Sequence, residues 1–429
     1  MHNNELYNFA KKLWPHNRSL TGLGNRQTLI FIKNILKNLS IKNERSGKKF
    51  YDWKVPFEWH VNQAYIVTPE GKKICNFSKN NLHLVGYSYP INKIMNYKEL
   101  IKNLYYLKDQ PNAIPYVTSY YKKAWGFCLA YNEFKKLKKG KYKVVIDSNI
   151  FKGKLNYGEL LIKGKSKKEI LLSTYICHPS MANNEISGIT VLTYLSKYIS
   201  LKKNYFTYRI IFIPETIGSI IYICKNLQLL KKNVVAGYVL SCIGDNRSYS
   251  LLPSKKFNTL SDKVAFHVIK NIDKKFKLYN WSDRGSDERQ FCSPGVDLPI
   301  ATVMRTKFGC YPEYHTSLDK LGKVVTAKGL NGGLETMKKI VDALEHYYFP
   351  KYKIFCEPNL SKRNMYPSLS KKNSVNRDTK TMLDLLTWAD GNHSLIDIAE
   401  KINIPVWDLY NVANLLKKNK LISLDRKES

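Results

Sequence analysis

The stretch 171–188, Leu-Leu-Ser-Thr-Tyr-Ile-Cys-His-Pro-Ser-Met-Ala-Asn-Asn-Glu-Ile-Ser-Gly, decides the fold class of this 429-residue chain. An apolar run ends on His178, small polar and acidic residues follow, and Ser187-Gly188 opens an apolar segment with helical spacing. A buried strand that carries a histidine to its C-terminal end is typical of the ligand-binding edge of an α/β sheet. A single histidine there is most often structural, so its meaning depends on the rest of the chain.

Three further segments place ligand-type side chains at strand ends or in loops. The apolar runs 208–213 and 234–242 end near Glu215 and Asp245, and a polar loop downstream carries His315. Such runs alternate with helical segments, which predicts parallel strands whose carboxyl ends meet at one edge of a sheet. Imidazole nitrogens and carboxylate or amide oxygens are donors that zinc takes in catalytic sites. The candidate site residues are His178, Asn184, Glu215, Asp245 and His315.

Four ordered motifs resemble those of the zinc-dependent aminopeptidase clan that includes leucyl aminopeptidase and the glutamate carboxypeptidases. In chain order they are Asn184-Glu185-Ile-Ser-Gly188, Glu215-Thr-Ile-Gly-Ser219, Ser286-Asp287-Glu288 with Phe291 and Gly295-Val-Asp-Leu-Pro299, and Tyr314-His-Thr-Ser-Leu-Asp319. Within the clan, the chain is similar to an aminopeptidase-like group with an inserted β-domain and a winged-helix tail. Four motifs in the right order are more specific than any one of them.

The resemblance implies a fold and a mechanism. The expected fold is α/β, with a mostly parallel mixed sheet flanked by helices. His178 and Asp245 would hold a first zinc ion, His315 would serve a second site, and Asn184 would bridge the two. Glu215 would act as the general base that takes a proton from metal-activated water and returns it to the leaving amine.

Two departures from the clan pattern bear on the metal. Asn184 stands where the clan has a bridging aspartate, and Glu215 stands alone where the clan has two adjacent glutamates. Fewer carboxylates leave two dications with little to offset their repulsion, so we expect one zinc ion, with two as the alternative. Glu185 could compensate as a ligand, and Glu215 could itself be a ligand instead of the base.

The candidate residues also have structural interpretations. Asp245 lies in a Gly-Asp-Asn sequence with strong turn chemistry, Glu215 after a proline could cap the next helix, and His315 could be an ordinary loop residue. Asp287 is a candidate metal ligand or a residue that supports one, with loop hydrogen bonding as the alternative. The candidates for substrate binding, with the same alternative, are Arg305, Tyr311 and Glu313.

The composition indicates a multidomain protein without a membrane span. With 429 residues, 44% of them hydrophobic, the chain can form two or three cores. It has no apolar run of bilayer length and no basic-then-apolar leader pattern. Its eight cysteines are scattered without a C-x-x-C pair, which favours reduced thiols and a cytoplasmic location.

The formal net charge of +36 invites a nucleic-acid interpretation. The lysines are, however, spread along the whole chain, and no single basic face emerges from their spacing. A codon bias towards A and T accounts better for the abundance of Lys, Asn, Ile and Tyr than specific DNA binding does.

Pattern shifts divide the chain into four parts. Residues 1–54 and 156–350 form the predicted α/β domain, and residues 55–155, where short strands alternate with turns, predict an inserted β-rich domain. Residues 351–378 are expected to be a linker, and three helices followed by a strand over 379–429 predict a winged helix. Strands are expected at 59–67, 117–127, 143–147, 159–163, 170–177, 208–213, 235–242 and 298–304, and helices at 187–200, 217–231, 259–272 and 326–348.

The sequence of the predicted winged helix does not identify its binding partner. Such domains often bind DNA, but the predicted recognition helix, 406–417, presents Trp407, Asp408, Tyr410 and Asn411 and has lysines only at its end. This is a poor pattern for phosphate contacts. We therefore favour a protein partner or a homo-oligomer contact over DNA.

Three functions follow from the sequence as hypotheses. The first is a zinc hydrolase of the aminopeptidase type that cleaves a peptide-like amide on a small peptide; the resemblance also implies a modified sugar or a surface-polysaccharide precursor as the substrate. The second is a metal-binding but catalytically silent protein that binds an amide-bearing ligand or serves as a scaffold. The third, which the poor phosphate pattern disfavours, is a nucleic-acid-binding regulator.

Overall fold

The computed structural model describes residues 4–363, 365 and 377–427. Part of the predicted linker, residues 364 and 366–376, lies outside the described residues, as do residues 1–3 and 428–429 at the ends of the predicted α/β and winged-helix domains.

The described chain divides into two compact units. The first unit takes in residues up to 261 together with 277–335, and the second takes in 262–276 together with the residues from 336 onwards. This division assigns 336–350 to the C-terminal unit, whereas the sequence placed that segment in the α/β domain. The domain boundaries drawn from the sequence stay predictions.

The elements follow the expected alternation of strands and helices. The helices are α1 Glu5–Leu13, α2 Leu23–Ile35, α3 Tyr97–Leu100, α4 Tyr131–Phe134, α5 Ser187–Ser200, α6 Ile217–Asn233, α7 Leu260–Ile272, α8 Glu288–Phe291, α9 Ala327–Glu345, α10 Arg377–Thr387, α11 Leu395–Lys401 and α12 Leu409–Lys418. The strands are β1 Ser40–Arg45, β2 Lys49–Phe50, β3 Trp53–Lys54, β4 Glu58–Val67, β5 Lys73–Ile74, β6 Ile91–Asn96, β7 Leu104–Tyr105, β8 Phe127–Cys128, β9 Lys141–Phe151, β10 Lys154–Ile162, β11 Glu169–Tyr175, β12 Thr207–Ile213, β13 Val234–Leu240, β14 Ser250–Leu252, β15 Lys277–Leu278, β16 Ile300–Met304, β17 Phe349–Tyr352 and β18 Ile422–Asp425.

An eight-stranded mixed sheet forms the core of the first unit, in the order β1-β10-β12-β11-β13-β16-β14-β15. Its four central strands, β12, β11, β13 and β16, run parallel, as expected. Strands β11 and β12 are buried along their whole length, which fits strands covered by helices on both faces. The carboxyl ends of the four parallel strands meet at one edge, and the candidate site residues follow them.

Helix α5 packs against the sheet at Gly188. A Cβ atom at this position would lie 2.5 Å from Thr174 Oγ1 and 2.6 Å from the carbonyl oxygen of Leu240. Glycine is therefore required by the close approach of α5 to β11 and β13. The segment before the helix, Ala182–Ile186, forms a π-helical turn, a feature frequent at functional sites.

The insert between the first helices and the main sheet contains a four-stranded antiparallel sheet, β5-β4-β9-β6. The expected strands at 59–67 and 143–147 correspond to β4 and β9. The strand expected at 117–127 is wrong: within it only Phe127 belongs to a strand, β8. The remaining residues form bends and an isolated bridge from Thr118 to Gly86, because several of their aromatic side chains line a cleft instead of packing in a sheet.

The second unit contains the winged helix. Helices α10, α11 and α12 precede strand β18, which pairs with β17 in antiparallel fashion. His267 fixes α7 to this unit, since its Nδ1 pairs with Glu400 Oε1 at 2.5 Å and its Nε2 accepts a hydrogen bond from the Val406 amide at 2.9 Å. The ring of Tyr410 stacks on His346 at 4.0 Å, and Lys339 lies over Trp407. Two side chains of the predicted recognition helix are thus engaged within the unit.

Among the described residues, no helix combines the length and apolar character that crossing a membrane requires. All eight cysteines carry free thiols, and five of them are buried.

Candidate active site

His178 lies three residues beyond β11, with its imidazole held on one side. Its Nδ1 lies 2.8 Å and its backbone amide 2.7 Å from Glu185 Oε2. Because a carboxylate only accepts, Nδ1 carries the proton, and Nε2 is left 3.7 Å from Glu215 Oε2. Burial alone would lower the pKa of His178, but the hydrogen bond and charge of Glu185, with the charge of Glu215, raise it above its usual value.

Arg18 completes the support of His178 from the loop between α1 and α2. Its Nε lies 3.0 Å from Glu185 Oε1 and 3.0 Å from the carbonyl oxygen of His178, and its Nη1 donates to the carbonyl of Leu13 at 2.7 Å. Arg18 and Glu185 are both at most 1% exposed. Both oxygens of Glu185 are therefore taken, so Glu185 positions His178 and is not free to serve as a metal ligand.

Asn184 sits in the π-helical turn, whose amides are capped by Asp319. The amides of Asn183 and Asn184 donate to Asp319 Oδ1 and Oδ2 at 2.8 and 3.1 Å. The side-chain Oδ1 of Asn184 accepts a hydrogen bond from Tyr175 at 2.9 Å, and its Nδ2 lies 3.3 Å from Nε2 of His315. Asp319, the last residue of the motif that begins at Tyr314, thus fixes the turn that places Asn184 beside His315.

His315 is anchored by the insert. Its carbonyl oxygen accepts from the Tyr116 amide at 2.9 Å, and Ser317 exchanges two hydrogen bonds with Ile114, at 2.9 and 3.0 Å. The His315 ring stacks on Tyr314 at 3.9 Å and lies 5.4 Å from the His178 ring, centroid to centroid. Burial, aided by the charge of His178, lowers the pKa of His315 to about 3, so its imidazole is neutral.

Four non-glycine residues near the candidate site have left-handed backbone conformations. Thr216 and His315, with Ser180 and Cys242 at two other strand ends, have φ values between +44° and +64°. Such left-handed conformations cost a non-glycine residue about 1–2 kcal/mol each. Residues of this kind cluster at ligand-binding sites, where the surrounding structure holds them in place.

Glu215 follows β12, and the turn that carries it is held by Asp287. The Thr216 amide and the Ser219 hydroxyl both donate to Asp287 Oδ1 at 2.8 Å. Burial, and next the charge of Glu215, raise the pKa of Asp287 to about 7. Burial also raises the pKa of Glu215, although the charges of His178 and Arg289 oppose the shift.

Asp245 follows β13, and its carboxylate is engaged by hydrogen bonds. Its carboxylate accepts four hydrogen bonds, from Asn183 Nδ2 at 2.9 Å, from the Thr306 amide and hydroxyl at 2.9 and 2.7 Å, and from the Arg247 amide at 2.8 Å. The side chain is 1% exposed. This hydrogen bonding fits the alternative interpretation, in which Asp245 organises a turn.

The three candidates for substrate binding are engaged in loop contacts. Arg305 donates from Nε to the Ser248 carbonyl at 2.7 Å and stacks over Tyr249. Tyr311 donates to Asp319 at 3.1 Å, and Glu313 forms a bidentate pair with Arg247 at 2.7 and 2.8 Å. None of the three belongs to the lining of the cleft described next.

A cleft of about 440 Å³ opens over His178, Glu215 and His315. Aromatic side chains of the strand β3 region and of the insert line the cleft, as does Arg289. Its remaining lining comes mainly from residues next to the strand ends. The lining residues are Leu20, Trp53, Tyr116, Thr118, Tyr120, Tyr121, Cys177, His178, Glu215, Thr216, Ile217, Arg289, Gln290 and His315.

Sequence reasoning missed two residues of the site, Arg18 and Arg289. Arg18 lies in the turn-rich stretch 16–24, whose composition predicts a helix–helix loop, with a lining of the active site as the alternative. Its signal is a lone arginine in that turn. Arg289 lies within the motif that begins at Ser286, directly after the acidic residues Asp287 and Glu288, of which Asp287 is the candidate there. Among the described residues, the cluster tight enough to share a metal is Cys177, His178 and Glu185, but Glu185 is neutralised there by Arg18.

The fold is similar to that of known aminopeptidases. The structure is similar to a zinc aminopeptidase from Bacillus subtilis, with a TM-score of 0.56, 13% sequence identity, and coverage of 80% of this chain and 94% of the other. A peptidase M28 precursor from Shewanella amazonensis SB2B also has a TM-score of 0.56, at 11% identity over 83% of this chain and 95% of the other. The chain thus has an aminopeptidase-like fold; at these identities the likeness concerns the fold alone.

The sequence places the chain in a family. Residues 7–347 match the family described as domain of unknown function DUF4910, and residues 350–424 match a winged helix-turn-helix. A protein of Clostridium acetobutylicum, provisionally named a polysaccharide biosynthesis protein with aminopeptidase-like domain, is 37% identical over 421 residues, 98% of this chain and 96% of that protein. A crystal structure from the same organism, provisionally described as a peptidase, has a TM-score of 0.92 at 37% identity, over 98% of this chain and 96% of the other. The chain belongs to the DUF4910 family and carries a C-terminal winged helix.

Proposed function

We propose that this chain is a zinc-dependent hydrolase of the aminopeptidase type, which cleaves a peptide-like amide in the cleft beside His178. The observation that carries the proposal is the setting of His178. Its Nδ1 is held by Glu185, and its Nε2 stands 3.7 Å from Glu215 at the cleft. A carboxylate on the far nitrogen is the usual device that orients a histidine towards a metal.

The donor set fits one zinc ion better than two. His178 Nε2 and the neutral imidazole of His315 are two nitrogen ligands. The amide oxygen Oδ1 of Asn184, which accepts a hydrogen bond from Tyr175, is a neutral third ligand. We leave Asp245 out of the set because four structural donors already occupy its carboxylate. Two ions would lack a bridging carboxylate to offset their mutual repulsion.

When bound, zinc polarises a carbonyl group and lowers the pKa of water. Glu215 is the general base in this proposal: it takes the proton of the attacking water and passes it to the leaving nitrogen as the C–N bond breaks. Because burial raises the pKa of Glu215, its carboxylate is a stronger base than an exposed glutamate. Asp287 holds the turn that carries Glu215, and Glu185 keeps His178 oriented.

The substrate is the less defined part of the proposal. The relative from Clostridium acetobutylicum carries a name from polysaccharide biosynthesis, which supports an amide on a modified sugar or a surface-polysaccharide precursor as well as a peptide. We place the protein in the cytoplasm, consistent with its eight free thiols. For the winged helix we propose a protein partner or a second copy, because Trp407 and Tyr410 are engaged within the unit.

A second candidate function is a metal-binding protein without hydrolytic activity. The hydrogen bonds of Asn184 fit a neutral amide at this position. Thr216 follows Glu215 where the clan has a second carboxylate, and its hydroxyl accepts a hydrogen bond from Arg289 Nη2 at 3.0 Å. A centre with a single neutral third donor would hold its metal weakly.

The two candidates are separated by an activity assay on zinc-loaded protein. Leucine p-nitroanilide serves as the peptide-like substrate and N-acetylglucosamine as the amino-sugar amide. The hydrolase predicts turnover that a chelator removes and zinc restores, and that falls by about 10²–10⁴-fold in Glu215→Gln. The matched control is Glu313→Gln, a glutamate outside the cleft, which keeps its activity. Bound zinc without turnover of either substrate would favour the silent protein.

A further inference from the structure

Arg289 gives the cleft a permanent positive charge. The acids before it, Asp287 and Glu288, face inwards: Glu288 accepts from the Gly285 and Ser286 amides at 2.7 and 2.9 Å and from the Thr302 hydroxyl. Arg289, which follows them in α8, is exposed and lines the cleft.

The hydrogen-bond partners of Arg289 are neutral, although its charge also acts on Glu215. Its Nε donates to the carbonyl of Ser286 and its Nη2 to the Thr216 hydroxyl, both at 3.0 Å. Among the described residues, no carboxylate lies within 4 Å of its guanidinium to form an ion pair. A guanidinium with free donors in a cleft is suited to bind a carboxylate or a phosphate.

The charge of Arg289 disfavours a free amino terminus in the cleft. An ammonium group needs an anionic or acceptor partner, and Glu215, the carboxylate that lines the cleft, already faces His178. The charge of Arg289 would also repel an ammonium placed in the cleft. The electrostatics of the cleft therefore favour a substrate that carries a negative charge.

Two aromatic rings that line the cleft, at an interplanar angle of 65°, also offer apolar faces and polar edges. Trp53 and Tyr121 are 38% and 55% exposed, with ring centroids 6.1 Å apart, and the Tyr121 hydroxyl is fixed by the carbonyl of Lys54 at 2.9 Å. Next to them, the hydroxyls of Tyr116 and Tyr120 lie 2.9 Å apart. Aromatic faces bind ring compounds through their apolar side while hydroxyls satisfy the polar rim.

We propose that the substrate of this cleft is an anionic pyranose derivative, with its ring against Trp53 and Tyr121 and its carboxylate or phosphate paired with Arg289. The proposal rests on the hydrolase function above and names its substrate class. It makes Arg289 a specificity-determining residue that an enzyme for peptides with a free amino terminus would not require.

The test is binding of four matched probes to the full chain, measured by calorimetry at one salt concentration. Glucuronate and glucose 6-phosphate represent the two anions, glucose is neutral, and glucosamine carries an ammonium group. We expect at least one anion to bind about tenfold more tightly than glucose, and glucosamine to bind more weakly still. The comparison between glucuronate and the phosphate identifies which anion is preferred.

Two variants separate a specific site from general attraction to a chain of net charge +36. Arg289→Gln should abolish the preference for the anion, whereas Arg284→Gln, which removes an exposed arginine outside the cleft lining, should keep it. Trp53→Ala should weaken the binding of every sugar that binds.

Three results would overturn the proposal: no binding of either anion, glucosamine binding as tightly as glucuronate, or an anion preference that survives Arg289→Gln. Its failure is distinguishable from failure of the hydrolase. Turnover of leucine p-nitroanilide without sugar binding would reject the substrate class alone, and binding of glucuronate without zinc-dependent turnover would reject the hydrolase alone.

Discussion

The two histidines of the cleft are supported in different ways. On the His178 side, buried charges from distant parts of the chain fix the imidazole, through Glu185 and then Arg18. On the His315 side, the support is neutral: backbone hydrogen bonds from the insert and the side-chain amide of Asn184. The clan pattern places a carboxylate at position 184, and this chain does not.

The difference teaches which half of the centre is prepared for a metal. Nε2 of His178 is held in place by a charge network that is costly to disturb, so this proposed ligand is preorganised. His315 is neutral, and in the part of the chain that the structure describes no carboxylate forms an ion pair with it that could offset the charge of a dication. We infer that His178 is the primary ligand and that His315 completes the same site instead of building a second one.

The largest expected effect comes from removing the charge network. Arg18→Met leaves Glu185 buried without its ion-pair partner, which we expect to destabilise the protein by about 3–5 kcal/mol. The free energy of unfolding, measured by denaturant titration, checks this. Arg247→Met, which breaks the half-exposed pair with Glu313, is the matched control and should cost about 0–1 kcal/mol. Equal losses of unfolding free energy in the two variants would show that the ion pair behind His178 contributes no more to stability than an exposed one.

The anchor of His315 should matter less to stability. Ser317→Ala removes the hydroxyl that accepts a hydrogen bond from the Ile114 amide at 3.0 Å, and an unpaired partly buried amide costs about 1–3 kcal/mol. Thermal unfolding measures the effect, and Ser78→Ala, at an exposed turn, is the control and should change little. A Ser317→Ala protein as stable as the control would mean that the insert does not hold this loop.

Restoring a charge beside His315 tests the role of Asn184 directly. Asn184→Asp supplies the carboxylate that the clan pattern has, and we expect it to tighten zinc binding about tenfold, or about 1.4 kcal/mol. Tyr175 can still donate to the new carboxylate, so the turn should persist. The measurement is a zinc titration against a competing chelator. Unchanged affinity would show that position 184 does not face the metal.

The strand ends were predictable from the sequence because apolar runs and the residues after them set which side chains share an edge of a parallel sheet. His178 and Glu215 meet for this reason, and the alternation of strands and helices predicted β11, β12, β13 and β16 within a few residues. The aminopeptidase-like fold and the winged helix were likewise confirmed by the comparisons.

The contacts between distant segments were not predictable. Arg18 reaches Glu185 across 167 positions, and no local periodicity carries that information. Asp245 ends a strand like a ligand, yet its oxygens are taken by Thr306 and Asn183 from other segments. The stretch 117–127 has the composition of a strand. Tyrosine is enriched in strands, but it also lines clefts, and composition alone does not distinguish the two.

Zinc content tests the central claim most directly. The protein is loaded with zinc, dialysed and assayed by elemental analysis beside His178→Ala, with His60→Ala, a histidine of the insert outside the cleft, as the control. The account predicts about one zinc ion per chain in the wild type and the control, and loss of the metal in His178→Ala. A wild-type protein without zinc, or a His178→Ala variant that keeps it, would contradict the account.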